Sequence, residues 1–136
     1  RKVDAGRLNG IGGKLEEGEN FLDAAIRETQ EETGYEVTAK DIQFSGIIKL
    51  HGGYPEDWVM CFFKIKVPSK TIPHGHEIPD GKLIWMHKDE VLKSGYELVD
   101  DLYHVWESII TDKTFFATTE IGQDEKVEKI SMTALP

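Results

Sequence analysis

Apolar positions first recur at helical spacing between residues 21 and 33, where Leu22, Ala25, Ile26 and Thr29 fall at i, i+3, i+4 and i+7 and predict a core-facing stripe. Asn20 stands where an N-cap belongs, with Asp23 at N3, and Gly34 is placed for a left-handed helix stop. The periodicity then changes. Residues 42–50 (IQFSGIIKL), 57–67 (DWVMCFFKIKV) and 82–87 (KLIWMH) read as strands, whereas the prolines and glycines of PSKTIPHGHEIPDG make 68–81 a loop. KDEVLK at 88–93 reads as a surface turn of helix. Leu102, Val105, Trp106, Ile109 and Ile110 predict a second amphipathic helix, capped by Asp100 or Asp101. TFFATTEI and KVEKISMTAL form a hairpin about the turn Gly122–Glu125, and residues 1–19 are glycine-rich with at most a short strand around Leu8–Ile11. Strands and helices mix without regular alternation. The expected fold is α/β in the α+β sense, a mixed sheet with helices packed on it. No repeat or linker interrupts the chain, so 1–136 reads as a single domain.

Composition narrows the function. The 136 residues are 39% hydrophobic and 30% charged, a globular balance, and the longest apolar run, WVMCFF at 58–63, has strand length rather than the roughly 20 residues that span a bilayer. The net charge of −9 argues against binding long nucleic acid through a basic surface, yet leaves room for a small anionic ligand bridged by a divalent cation. The lone Cys61 lies in an apolar run and reads as a core thiol rather than a nucleophile. With no signal peptide visible, it points to a reducing, cytoplasmic compartment.

Chemistry concentrates on the first helix. Glu31 and Glu32 lie one turn after Glu28, on either side of it, so three carboxylates converge on one patch that Ala24, a turn earlier, should leave open. Like charges at this spacing repel, and a hard divalent cation such as magnesium turns the repulsion into affinity. A solvated acidic face is the alternative for these three residues alone. Their surroundings weigh against it: Gly13, Glu19, Arg27, Glu28, Glu31, Glu32 and Gly34 sit at the spacing G-x5-E-x7-R-E-x2-E-E-x-G. At about one in twenty per position, seven such matches arise by chance on the order of once in a billion.

This spacing resembles the signature of the Nudix (MutT-like) hydrolases. Thr29 departs from the aliphatic residue the family prefers, and Tyr35 meets the last apolar position. The resemblance implies a loop–helix–loop holding one to three Mg2+ or Mn2+ ions. Glu28, Glu31 and Glu32 would be ligands, joined by the carbonyl at or beside Gly13. Arg27 would orient the acids while paired with Glu19, and Glu28 or Glu32 would act as the base. The implied reaction is attack of metal-activated water on a nucleoside diphosphate linked to another group. A further ligand would come from HEIPDG, with Asp80 placed better than Glu77 ahead of Trp85; a plain turn at Asp80-Gly81 is the alternative. Twelve residues precede Gly13, fewer than the family's leading strands occupy, so an N-terminal strand segment is expected to be missing from this sequence.

A narrower resemblance reaches the oxidised-purine nucleoside triphosphatases. GRLNGIGGK at 6–14 is similar to their segment before the motif, where the equivalent of Asn9 contacts the base, and ELVDDLYHVW at 97–106 is similar to the segment that sets an aspartate pair against the purine edge. Asp100 and Asp101 would be that pair, one protonated and one ionised. Capping is an open alternative for both, and a turn is one for Asn9. Leu98 replaces the branch's stacking tryptophan, and the loop GGYPEDW also differs, while TDKTFFATTEIG is similar to bacterial 8-oxo-dGTP diphosphatases. The implied partner is a small nucleotide, with no membrane and a homodimer left open. Other Nudix substrates (ADP-ribose, dinucleoside polyphosphates, capped RNA) and a non-catalytic nucleotide-sensing module are the competing readings. His74 and His76, in a proline-rich loop without cysteine, read as exposed residues, and Trp58, Trp85 and Trp106 as core.

Overall fold

The computed structural model describes residues 7–8, 10, 14–53, 55–79, 81–122 and 127–136. Asn9, Gly13 and Asp80, three of the residues singled out above, lie outside them. The fold is mixed α+β, and the described residues form two α-helices and a mixed four-stranded sheet. Among the described residues no helix is long and apolar enough to cross a membrane. The chain divides into two compact units, residues 1–42 with 65–99 and residues 43–64 with 100–136.

The first unit is organised around α1 (Phe21–Thr33). Asn20 caps it by accepting the Asp23 N–H at 2.8 Å, and the Asp23 carboxylate returns to the Asn20 N–H at 3.4 Å, which closes a capping box. Gly34 ends the helix at φ 83°, its N–H bonded to the Gln30 carbonyl at 2.8 Å. A side chain there would be strained by that φ, and a Cβ would sit 2.6 Å from the His74 ring and 2.8 Å from Pro73. The His74 N–H donates to the Thr33 carbonyl at 2.9 Å, so the segment after residue 70 is seated on the helix end. Beside this junction lies a small core of Tyr35, Val37 and Ile72, flanked by Ile26, Ile42, Ile65, Val67 and Leu83. The Tyr35 hydroxyl donates to the Ser69 carbonyl at 2.6 Å.

The buried arc of α1 differs from the expected stripe. Ala24, Thr29 and Thr33 are its buried residues, and Leu22, Ala25 and Ile26 are only partly covered. Ala24 therefore does not leave an open patch beside Glu28; at 100° per residue it belongs to the sheltered arc that also carries Glu28 and Glu32. Thr29 tolerates burial because its hydroxyl donates to the Ala25 carbonyl at 2.7 Å, and the Thr33 hydroxyl does the same to Thr29.

Short pairings complete this unit. β1 (Arg7–Leu8) runs parallel to β6 (Glu97–Leu98), and β4 (Glu77–Ile78) runs antiparallel to β5 (Gly81–Lys82). The strand expected over 82–87 is not formed beyond Lys82. The segment opposite carries Pro73, which has no N–H, and Gly75 at φ 82°, so a ladder cannot extend along it. Instead the Leu83 N–H reaches the His76 carbonyl at 2.7 Å and the Trp85 indole N–H reaches the Lys70 carbonyl at 2.8 Å. Trp85, expected in the core, is 46% exposed. His74 and His76 are exposed, as the loop reading has them, and KDEVLK forms a turn leading into a 3-10 helix at Val91–Lys93.

The second unit holds the sheet, in the order β3 (Trp58–Ile65), β2 (Ile42–His51), β7 (Thr114–Ile121), β8 (Val127–Leu135). β2 pairs parallel with β7, and β7 pairs antiparallel with β8, which makes the expected hairpin. Gly46, Ile48 and Leu50 stand opposite Phe115, Ala117 and Thr119, so two buried rows share one face while Phe116, Thr118 and Glu120 face outward. Helix α2 (Asp100–Ile110) packs against β7 and β8, with Leu102, Val105 and Ser108 buried. Cys61, partly buried in β3, has its thiol pushed up by that burial, which favours the protonated form.

Phe115, fully buried and 5.6 Å from the Phe62 ring, covers Gly46 so closely that a Cβ there would run into its ring. Gly46→Ala is expected to destabilise the protein by about 1–3 kcal/mol, read as a lower urea midpoint with the slope unchanged.

Candidate functional site

The turn before α1 fixes the first carboxylate of the site. The Glu19 N–H donates to the Glu16 carbonyl at 3.0 Å, and the Glu16 N–H returns to Glu19 Oε1 at 2.8 Å. Glu19 is thereby held over the helix N-terminus, where negative charge is favoured, and its carboxylate reaches forward to Arg27.

Arg27 spends all five of its N–H donors. Nε donates to Glu19 Oε2 at 2.7 Å and Nη2 to Glu19 Oε1 at 2.9 Å, a bidentate fork; Nη2 also donates to the Lys14 carbonyl at 2.9 Å. Nη1 donates to Glu28 Oε1 at 2.7 Å and to Glu31 Oε2 at 3.1 Å. Glu16 Oε1 adds an ion pair at 2.9 Å from Nε. The acids sit at different depths: the Glu28 side chain is 16% exposed and that of Glu31 58%. Glu32 is partly buried on the same sheltered arc as Glu28.

The electrostatics follow from this geometry. Hydrogen bonds from Arg27, then from the Glu16 amide, hold the Glu19 carboxyl below the usual glutamate range. Bonds to Glu19 and Glu28 push the Arg27 guanidinium further up, so it stays charged at every working pH. Four carboxylates face one guanidinium, and their oxygens are the hard donors a divalent cation prefers. They fit such an ion by donor type. Among the described residues, no three or more acidic, histidine or cysteine side chains are drawn together enough to enclose one. The reason is visible at Nη1, which holds Glu28 and Glu31 as a cation would.

The other described residues singled out from the sequence lie on other elements. Glu77 lies in β4, exposed and in register with Lys82. Asp100 and Asp101 open α2 as its first helical residues, so the cap position falls on buried Val99 rather than on either of them. Asp100 Oδ2 accepts the Val127 N–H at 2.7 Å, tying the helix start to β8, and Asp101 Oδ1 accepts the Leu102 N–H at 2.9 Å. Sequence reasoning passed over Glu16, whose signal was its place three residues before Glu19 across a glycine turn. The Asp100–Val127 bond joins residues 27 apart and left no local signal.

The Glu19–Arg27 pair carries a pH signature. Because the Glu19 carboxyl is lowered in the folded state, the pair stabilises fully above the ordinary glutamate range and is lost as pH falls through the lowered value. Glu19→Gln should therefore lower the melting temperature at about pH 6, and the difference from wild type should close as the melt is repeated toward about pH 3.

Comparison with known proteins agrees with this arrangement. The NUDIX domain family profile matches residues 1–105. The uncharacterized Nudix hydrolase YvcI of Bacillus subtilis (strain 168) is 34% identical over 82 residues, which is 59% of this chain and 51% of that protein, so the chain spans about half the length of the curated relative it matches. The crystal structure of a mutator MutT protein from Bacillus halodurans superposes with a TM-score of 0.79 at 25% identity, covering 93% of this chain and 82% of the other. With a capped helix that gathers Glu19, Arg27, Glu28 and Glu31, and with the family profile spanning most of its length, the chain belongs to the Nudix hydrolase family.

Proposed function

We propose that the protein is a magnesium- or manganese-dependent pyrophosphohydrolase that uses water to cleave a nucleoside triphosphate, 8-oxo-dGTP or a related oxidised purine nucleotide, into the monophosphate and pyrophosphate. Nudix hydrolases generally use divalent metal ions and act on small nucleotides. The observation that carries the reading is the Arg27 network, which gathers Glu28 and Glu31 from one helix face and fixes them through Glu19. Glu28, Glu31 and Glu32 would hold the cation, with the carbonyl at Gly13 and the carboxylate of Asp80 as further donors. When bound, the cation supplies charge against the transferring phosphoryl group and a water of lowered pKa. Arg27 keeps Glu28 and Glu31 oriented, and Glu28 or Glu32 accepts the proton of the attacking water. Asn9, Asp100 and Asp101 would read the purine edge, with Asp100 fixed by the Val127 amide. The reading takes 1–136 as one domain working in the cytoplasm.

One observation favours a broader substrate. Leu98, where the oxidised-purine branch places its stacking tryptophan, is buried in β6 and offers no platform to a base. A nucleotide held without that stack, such as ADP-ribose, a dinucleoside polyphosphate or capped RNA, is the second reading.

A hydrolysis panel separates them. With Mg2+, 8-oxo-dGTP should turn over faster than dGTP, ADP-ribose or diadenosine polyphosphates, and Glu28→Gln or Glu32→Gln should slow it by about 10²–10⁴. Activity that survives both substitutions would sink the metal-site reading. Unchanged preference for 8-oxo-dGTP over dGTP after Asp100→Asn with Asp101→Asn would remove the base-reading role.

A further inference from the structure

We propose that Glu16 is a positioning residue of the metal site, drawing Arg27 toward the turn before α1 and so loosening the guanidinium's hold on Glu28 and Glu31. The inference rests on the reading of those two acids as cation ligands. Glu16 lies in the five-residue gap between Gly13 and Glu19, where the motif fixes spacing and not residue type.

The geometry divides the guanidinium into two edges. On the Nε edge stand the loop carboxylates, Glu19 Oε2 at 2.7 Å and Glu16 Oε1 at 2.9 Å. On the Nη1 edge stand the helix carboxylates, Glu28 Oε1 at 2.7 Å and Glu31 Oε2 at 3.1 Å. A cation approaching Glu28 and Glu31 competes with Nη1 for their oxygens and is repelled by the guanidinium charge. Negative charge on the far edge offsets both effects. Glu19 supplies part of it through its fork, and Glu16 adds to it through its ion pair with Nε. As Nη1 yields an acid to the cation, Glu16 and Glu19 keep the guanidinium in place.

Glu16 is suited to a clean test. Its backbone, not its side chain, closes the turn with Glu19, so Gln at this position removes charge and leaves the turn's bonds available. Its side chain is 64% exposed, so the effect should be moderate and sensitive to salt.

The experiment is calorimetric titration of Mn2+ into the full chain as wild type, Glu16→Gln and Glu28→Gln, at low and high ionic strength, alongside thermal melts without metal. Glu16→Gln should weaken Mn2+ binding about two- to five-fold at low salt, with the gap closing at high salt and the metal-free melting temperature held. Unchanged or tighter binding overturns the proposal, as does a loss equal at both salt levels. A fall in melting temperature with affinity intact would mean a merely structural role and overturns it too. If wild type binds no Mn2+, or Glu28→Gln binds as wild type does, the metal-site reading itself fails. If Glu28→Gln abolishes binding and Glu16→Gln leaves it untouched, the role of Glu16 alone fails.

Discussion

The Arg27 guanidinium sets the conditions under which one helix can carry Glu28 and Glu31 side by side. Left to themselves, these acids would repel across one turn and weaken the helix that presents them. A planar cation with five donors, each bonded within the chain, converts that repulsion into a fixed arrangement. A lysine could not do this, because it offers three donors and no fork. Glu28 and Glu31 are held at defined places by a charge the protein already owns.

The α1 element shows how far local chemistry reaches into a fold. Asn20, Asp23 and Gly34 specify the start and stop of the helix through contacts within a few residues, and the observed helix runs from Phe21 to Thr33 as that pattern requires. Ile42–His51 and the hairpin of β7 and β8 were legible for a similar reason, since their alternation and turn residues are local. What the sequence hid depended on distant partners. KLIWMH has strand composition, but the segment facing it contains Pro73 and Gly75, and the ladder stops at Lys82. Ala24 and Trp85 changed places with expectation because burial is decided by what lies across from a residue. The Arg27–Glu19 pairing was legible because the motif is contiguous, whereas the Glu16–Arg27 ion pair was not, because it depends on the path of a turn.

In the second unit one side chain organises the parallel pairing. Phe115 needs the bare backbone of Gly46 beneath it, and the same register sets Ile48 against Ala117 and Leu50 against Thr119. A shift by one residue would turn the buried row of β7 outward and place a side chain under the ring. Helix α2 is anchored to this sheet at its first turn, where the Asp100 carboxylate takes the Val127 amide at the start of β8. An acid that looked from sequence like a cap or a contact to a base thus joins two elements.

The segment that follows Ile72 has the composition of a loop that evolution could lengthen freely. Its placement says otherwise. Pro73 and the His74 ring lie against Gly34, and the His74 amide is bonded to the last carbonyl of α1. An added residue here would have to be accommodated at the helix end, one turn from Glu31 and Glu32. Insertions and deletions are usually absorbed by surface connections, but this one has the length constraint of a core element. Chain length between Ile72 and Gly75 is therefore tied to the end of α1, whatever residues fill it.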